Sequence, residues 1–567
     1  MRILLLSLVF TVLAQSQETK NKIAPTDFSS PMGIRLNPAG TFGELRANHF
    51  HSGLDFKTNQ VEGLPVYAAG DGYVSRIKYS SFGYGKAIYI NHPNGFTSVY
   101  GHLQRGAEEV EGYVKKNQYD KQSFEIEVFP QPHELVVKKG DLIAYSGNTG
   151  GSGGPHLHFE YRDTKTEEVL NPLLFGLSRE MKDTIAPTLE NLFAYPLDPN
   201  GFANKSADPV VITFDSRVGN VIQANPVQAR GRIGFGVSSF DTYNNNFNKN
   251  GLYKLELLVD NKPQYVVNFD ALSFSESRYI NSYIDYRRRK LFKDYIQKLF
   301  YTTKYPLSII SHNVKDGILE VKEGDSYTVE IILSDFHKNQ TKVIIPVIFA
   351  ADDFNLPAKP KNGAFDLIHD KETIYAKENI SVTIPENTFL EDFEFNFQVN
   401  QNTLVLHRDV EPAYKDMTIA MDVSEMTDLN VFKSYIARVD GKKLSYQYTT
   451  KKGNVFSTRT KSLGTYKIAT DLVAPKIYSP SFKPNQNLDK VNSIKVYIED
   501  LDSGIASYEG YLNGKWILMD YDYKTKSLIH YFSDNIYEDG ENLLKIIVKD
   551  NVGNTAIFDS NFQKTKN

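Results

Sequence analysis

Several stretches of the chain alternate polar and apolar residues, the period of a strand, in which residues i and i+2 share a face. In residues 156–161, His-Leu-His-Phe-Glu-Tyr, the alternation predicts a strand that turns Leu157 and Phe159 to the core. His156, His158 and Glu160 then face one cleft. Residues 86–91 and 96–100 read as a hairpin around His92-Pro93-Asn94-Gly95, a turn composition. His102, in Tyr100-Gly101-His102-Leu103, is expected to end that strand, where a loop can aim it. In the segment 106–135, Val110, Tyr113 and Val114 fit one face of a short helix, and Phe124, Ile126 and Val128 alternate like a strand. Near 276–305, Arg287-Arg288-Arg289-Lys290 lies among Tyr279, Tyr283, Tyr286, Phe292 and Tyr295, as in a helix that covers a sheet with its aromatics and leaves its basic residues in solvent.

Two strings carry candidate chemistry, His51-Ser52-Gly53-Leu54-Asp55 and His156-Leu157-His158. Together they offer imidazoles and a carboxylate for one divalent metal, with an imidazole to spare. Zinc accepts that mixture, at roughly 2.0–2.2 Å, and keeps a position open when catalytic. Magnesium and calcium prefer oxygen alone. Metal-assisted hydrolysis is the chemistry implied: one histidine of the 156/158 pair can bind metal while the other reaches the activated water. Gly53 lets the backbone bend so that His51 and Asp55 converge. His49 shares i, i+2 spacing with His51, and the register of Gly53 and Asp55 favours His51. His92 and His133 read as structural or solvent-exposed. The glycine-rich residues 147–154 lack the Lys-Ser/Thr ending and following helix of a phosphate loop, and are read as a permissive turn beside the cleft strand. Glu160, two residues past His158, can serve as partner to a ligand.

The motifs also occur in a recognisable order. His51-x-Gly-x-Asp55 is followed by Gly63-Leu-Pro-Val66, Asp71-Gly72-Tyr-Val74, Gly83-Tyr-Gly85, Tyr100-Gly-His102-Leu103, Val137-Lys-Lys-Gly140 and Ser146-Gly-Asn-Thr-Gly150, then Gly154-Pro155-His156-Leu-His158-Phe-Glu160. This series resembles the lysostaphin-type zinc endopeptidases that cut the peptide part of bacterial peptidoglycan. The resemblance implies that His51, Asp55 and His158 bind one zinc ion and that His102 and His156 are catalytic, lying beside the open coordination position. They would orient the attacking water, take its proton or steady the oxyanion.

Composition and the N-terminus add a location. Met1-Arg2, apolar residues 3–14 and the polar Gln15-Ser16-Gln17-Glu18 have the form of a secretory signal peptide over 1–16, too short for a span of ~20 residues. With no cysteine in the chain, neither a lipoprotein anchor nor a disulfide can form. The expectation is an exported protein, periplasmic or extracellular, with no transmembrane segment. A formal charge of −4 gives no argument for nucleic-acid binding.

At 567 residues the chain is too long for one core. Asp183-Thr-Ile-Ala-Pro187 is echoed by Asp471-Leu-Val-Ala-Pro475. Likewise, alternating residues 329–335 and 544–550 both run into an Asp-x3-Asn turn, at Asp335 and Asp550. These echoes resemble the opening and closing strands of bacterial immunoglobulin-like modules. The expected fold class is mainly β: an N-terminal antiparallel β-sheet zinc peptidase domain at 24–180, then β-sandwich modules. An immunoglobulin-like sandwich with a helical insertion is placed at 184–350, a β-rich domain of unknown type at 358–470, and a second immunoglobulin-like sandwich at 471–567. The reading is a secreted zinc metalloendopeptidase acting on peptidoglycan, with envelope proteins as partners of the tail. Two alternatives are a non-catalytic scaffold that activates a cell-wall amidase, and an adhesive tail carrying a vestigial peptidase.

Overall fold

The computed structural model describes residues 28–244, 246–350 and 363–566; the expected signal peptide and the linker at 357–360 lie outside them. The described residues form two compact units. One takes in those of Met1–Lys78, Phe82–Glu111 and Glu127–Lys359, the other those of Tyr79–Ser81, Gly112–Ile126 and Pro360–Asn567. Among the described residues no helix is long and apolar enough to cross a membrane.

In the first unit, a sheet runs in the order Pro38–Gly40, Leu54–Lys57, His156–Asp163, Phe96–Gly106, Lys86–Asn91, Gly72–Tyr79 and Val136–Val137. The central strand His156–Asp163 is antiparallel to both neighbours and divides its residues as the alternation predicts. Leu157, Phe159 and Tyr161 are completely buried. Phe159 lies 5.2 Å from Tyr100 and 4.9 Å from Tyr161, which stacks on Phe175 at 4.1 Å. The even-numbered residues are thereby held on the opposite face.

The hairpin is present, but its second strand does not end at His102 as the sequence reading expects. It continues through Gly106. Tyr100 faces Ile88 and Leu103 faces Lys86, so one strand advances three residues while its partner advances two. The extra residue is a bulge, and His102 takes a left-handed φ of 58° within it. The bulge, not a loop, aims the ring.

A second sheet system of the same unit runs through Thr188–Pro196, Val227–Phe240, Gln340–Phe349, Ser326–Ser334, Lys254–Val259 and Lys262–Asn268. It is stitched to the first. Val169 and Leu170 pair antiparallel with Leu272 and Ala271, Asn171 donates its amide to the Asp270 carbonyl at 2.8 Å, and Phe50 packs against Phe269 and Tyr283. The insertion forms two short helices, Ile280–Tyr283 and Tyr286–Phe292. Tyr283 and Tyr286 are buried while Arg287 is exposed. Arg288 folds back over Phe193 at 4.6 Å.

The second unit contains two β-rich modules. Over 365–470, two five-stranded sheets share one core, with Val382, Ile419 and Phe456 from one sheet and Leu404, Ile436 and Tyr466 from the other. Over 476–564, a four-stranded and a five-stranded sheet enclose Val496, Leu528, Ile546 and Phe562. Lys115 and Tyr119, within Gly112–Ile126, belong to this unit. Both reach Asp534 at 2.6 Å, and Tyr119 meets Trp516 edge-on at 5.3 Å.

Phe159→Ala removes the ring around which the first sheet packs. It is expected to destabilise the peptidase transition by about 3–5 kcal/mol, measured by calorimetry. A loss below about 1 kcal/mol would show that the site collapses around the cavity and that the ring is not the keystone.

Candidate metal centre

Register brings the site together. His158 is the direct cross-strand partner of Asp55, which places their side chains together on one face of the sheet. His51 arrives from the turn between His49–Phe50 and Leu54–Lys57. That turn depends on Gly53, where a Cβ would lie 2.3 Å from the Phe159 carbonyl oxygen. Donor atoms of His51, Asp55 and His158 all fall within 4.8 Å of one another. The Asp55 Oδ1 stands 3.0 Å from His51 Nε2 and 2.9 Å from His158 Nδ1, and the two nitrogens are 3.1 Å apart. All three residues are buried. His49 is exposed and its Nδ1 faces the Ala47 carbonyl, so it stands outside the cluster.

The outward-facing nitrogens fix the tautomers. His51 Nδ1 donates to the Thr41 carbonyl at 2.8 Å, which leaves a lone pair on Nε2. His158 Nε2 faces Glu160 Oε1 at 2.8 Å, which directs the Nδ1 lone pair inward. Glu160 is completely buried. It also accepts from Ser52 Oγ and Tyr84 OH at 2.5 Å and from Arg162 through two nitrogens. Two imidazole lone pairs and a carboxylate oxygen thus point at one another, an arrangement that needs a cation between them. The mixed N/O donor set suits zinc.

Charge follows the same line. Burial would raise the Glu160 carboxyl, but Arg162, then His158, holds it well below the usual range. Burial likewise opposes charge on His158, and Asp55 with Glu160 outweighs it, pushing His158 up to about 9. Without metal, a proton therefore remains where the donors converge. Arg46 reaches the other oxygen of Asp55 at 3.4 Å.

The two further histidines line the same space. His156 Nδ1 donates to the Gly154 carbonyl at 2.8 Å, and its Nε2 lies 3.3 Å from Asp55 Oδ1. His102 Nδ1 donates to the Thr149 carbonyl at 2.8 Å, and its ring is 4.8 Å from that of His156. Burial, then the neighbouring His158 and His156, lowers His102 to about 3, so its ring is neutral with an open Nε2. The glycine turn beside it is a close approach of backbones: at Gly150, φ 64°, a Cβ would lie 2.3 Å from the Gly85 amide.

Sequence reasoning brought forward all five of these residues, and the structure gathers them in one place. It passed over Thr41, Ser52, Tyr84, Thr149 and Arg162. Tyr84, which stacks on His158 at 5.0 Å, stands inside the quoted Gly83-Tyr-Gly85 motif, as Thr149 does inside Ser146-Gly-Asn-Thr-Gly150; Thr41 acts through its backbone carbonyl and leaves no mark in the sequence. His92 is satisfied by the Asp71 carbonyl and Ser98 at 2.8 Å each, and takes no part.

Residues 49–119 match the Peptidase family M23, and residues 366–471 match a Zu5-like domain. An uncharacterized metalloprotease of Haemophilus influenzae is 37% identical over 127 residues, 22% of this chain and 21% of that one. The DD-carboxypeptidase/endopeptidase Mpg of Neisseria meningitidis is 34% identical over 24% of each chain. The peptidoglycan DD-endopeptidase ShyC of Vibrio cholerae is 34% identical over 26% of this chain and 28% of its own. The chain thus spans about a quarter of the length of these relatives. It carries a peptidase M23 domain toward its N-terminus, followed by β-rich modules.

Two outcomes test the site. Glu160→Gln keeps shape but removes the charge that orients His158, and is expected to weaken zinc binding about 10–100-fold in chelator competition; unchanged affinity would remove Glu160 from the orienting role. Because His158 is raised to about 9 in the metal-free protein, it is charged at neutral pH and metal must displace its proton. Affinity should therefore rise with pH up to that value, by at most about tenfold per unit, with proton release measurable by calorimetry in buffers of different ionisation enthalpy.

Proposed function

Starting from the peptidase M23 domain, we propose that the protein is an exported zinc metalloendopeptidase that hydrolyses peptide bonds in peptidoglycan cross-links or stems. The observation that carries this reading is the convergence of His51 Nε2, Asp55 Oδ1 and His158 Nδ1 beside two more imidazoles. Relatives named as peptidoglycan DD-endopeptidases supply the substrate class. The exported location rests on the residues at 1–16 and on the substrate itself, which lies outside the cytoplasm.

His51, Asp55 and His158 are the residues that would hold zinc. Bound there, zinc would polarise a carbonyl and acidify a water. The chain's own groups do the rest. His102, neutral with Nε2 open, and His156, with Nε2 at the edge of the donor cluster, share the remaining work: one ring takes the proton of the attacking water and later returns it to the leaving amine, while the other steadies the developing oxyanion. Carbonyl attack by water fits this set better than glycoside hydrolysis, which commonly uses two carboxylates flanking the bond. The β-rich modules would position the peptidase on the wall or dock envelope proteins.

Digestion of purified sacculi by the zinc-loaded protein, with mass analysis of the fragments, tests the proposal. Cleaved amide bonds in the peptide moiety and intact glycan strands are expected. New reducing sugar ends as the main product would overturn the endopeptidase reading, and no cleavage would favour a scaffold role. Asp55→Ala and His158→Ala should lose both zinc and hydrolysis. His156→Ala should keep much of its zinc and lose turnover about 10²–10⁴-fold. His49→Ala should change neither; loss of zinc there would mean that the ligand register is shifted.

A further inference from the structure

The internal sequence echo builds the same local structure twice. In the module at 184–350, the Ile185 amide donates to Asp183 Oδ1 at 2.9 Å, Asn339 donates its amide and Nδ2 to Asp335 at 2.7 and 2.6 Å, and Asn339 Nδ2 also reaches the Asp183 carbonyl at 3.4 Å. In the module at 471–566, Val473, Asp471, Asn554 and Asp550 repeat these bonds at 3.0, 2.8, 2.7 and 3.0 Å. Each copy brings in another carboxylate. Donor atoms of Asp471, Asp500 and Asp550 lie within 4.8 Å of one another, as do those of Asp183, Asp335 and His337. In the first copy the Asp241 carboxyl lies within hydrogen-bond reach of the Asp183 carboxyl.

The copies part at one oxygen. Asp471 Oδ2 accepts from Ser503 Oγ at 2.6 Å and from the Ser503 amide at 3.2 Å. The equivalent Oδ2 of Asp183 is buried and meets no donor; the same holds for Asp241 Oδ1 and Asn250 Oδ1. These three residues are only 6%, 3% and 2% exposed. His337 adds to the imbalance. Its Nε2 faces the Ser178 carbonyl at 3.2 Å and so carries the hydrogen, which leaves a buried, unpartnered lone pair on Nδ1. Among the described residues, no lysine or arginine forms an ion pair with Asp183, Asp241 or Asp335. Acceptors without donors in a buried cluster carry a large desolvation penalty unless a cation lies among them.

We propose that the module at 184–350 binds a calcium ion between the carboxylates of Asp183, Asp241 and Asp335, with Asn250 Oδ1 and His337 at its margin. The ion class follows from the donors. Val552 stands in the second copy where His337 stands in the first, so what the two copies share is carboxylate oxygen. Oxygen ligation at roughly 2.3–2.6 Å belongs to calcium, whereas zinc favours nitrogen and sulfur in the set. Asp183 lies between the helical turn Leu177–Arg179 and the strand Thr188–Pro196. The ion would tie that connecting segment to the turn after Ser326–Ser334 and stiffen the joint between the peptidase sheet and the module.

The test uses the full chain, stripped with chelator and reloaded with one equivalent of zinc. Titration with calcium chloride should show binding by calorimetry, complete below about 1 mM, with a rise in melting temperature. Asp241→Asn, nearly isosteric and neutral, should abolish both effects while retaining zinc and native circular dichroism. Terbium luminescence displaced by calcium in the unmodified chain gives a second readout that needs no variant. Three outcomes would overturn the proposal: no calcium binding in the unmodified chain, calcium binding unchanged in Asp241→Asn, or preference for zinc or manganese at a second site with loss in His337→Ala. If a proton alone neutralises Asp241, calcium will leave the melting temperature unchanged and Asp241→Asn will be as stable as the native chain.

Discussion

A slip of one residue between Leu54–Lys57 and His156–Asp163 would send Asp55 and His158 to opposite faces of the sheet. What prevents the slip is the other face, where Leu54, Phe56, Leu157, Phe159 and Tyr161 must all be buried together. The metal donors are therefore aligned by hydrophobic packing that never touches them. His51, Asp55 and His158 converge because the apolar half of each strand leaves the polar half no alternative, and the bulge that projects His102 is set in the adjoining strand of the same sheet.

Behind the donors runs a buried line of alternating charge, Arg162, Glu160, His158 and Asp55, which ends at the half-exposed Arg46. Such a line is poor evidence for stability, since well-packed apolar residues often serve a fold as well or better. Its value is directional. Glu160 accepts from four groups at once and cannot rotate without stranding Arg162, so the ring of His158 is held in one orientation before any metal arrives, with Nδ1 as the nitrogen that gives up its proton.

The period-two pattern and the motif spacing made the central strand and the five site residues legible, because both follow from local alternation and from residue types whose chemistry is specific. The bulge at His102 was not legible: it is a mismatch between two strands, and neither strand carries it alone. Thr41 holds His51 through a carbonyl oxygen, which every residue possesses, so its side-chain identity says nothing of that role. The Asp183 and Asp471 echoes were visible as repeats, but their meaning required the partner of one oxygen, Ser503 in the second copy and none in the first. The middle module, whose strands read only as β-rich, shows two facing sheets around one core.

The short ladder between Val169–Leu170 and Ala271–Leu272 bears on where this protein can be cut. A border near residue 180 is natural when motifs are counted, yet hydrogen bonds and aromatic packing cross it in both directions. A fragment ending there would leave Val169 and Leu170 on an open sheet edge and uncover Phe50, whose neighbours Phe269 and Tyr283 would be gone. An unpaired edge beside a newly bared aromatic is a template for association with another copy. The peptidase and the module after it are better regarded as a single foldable piece, in which the second half acts as the missing wall of the first.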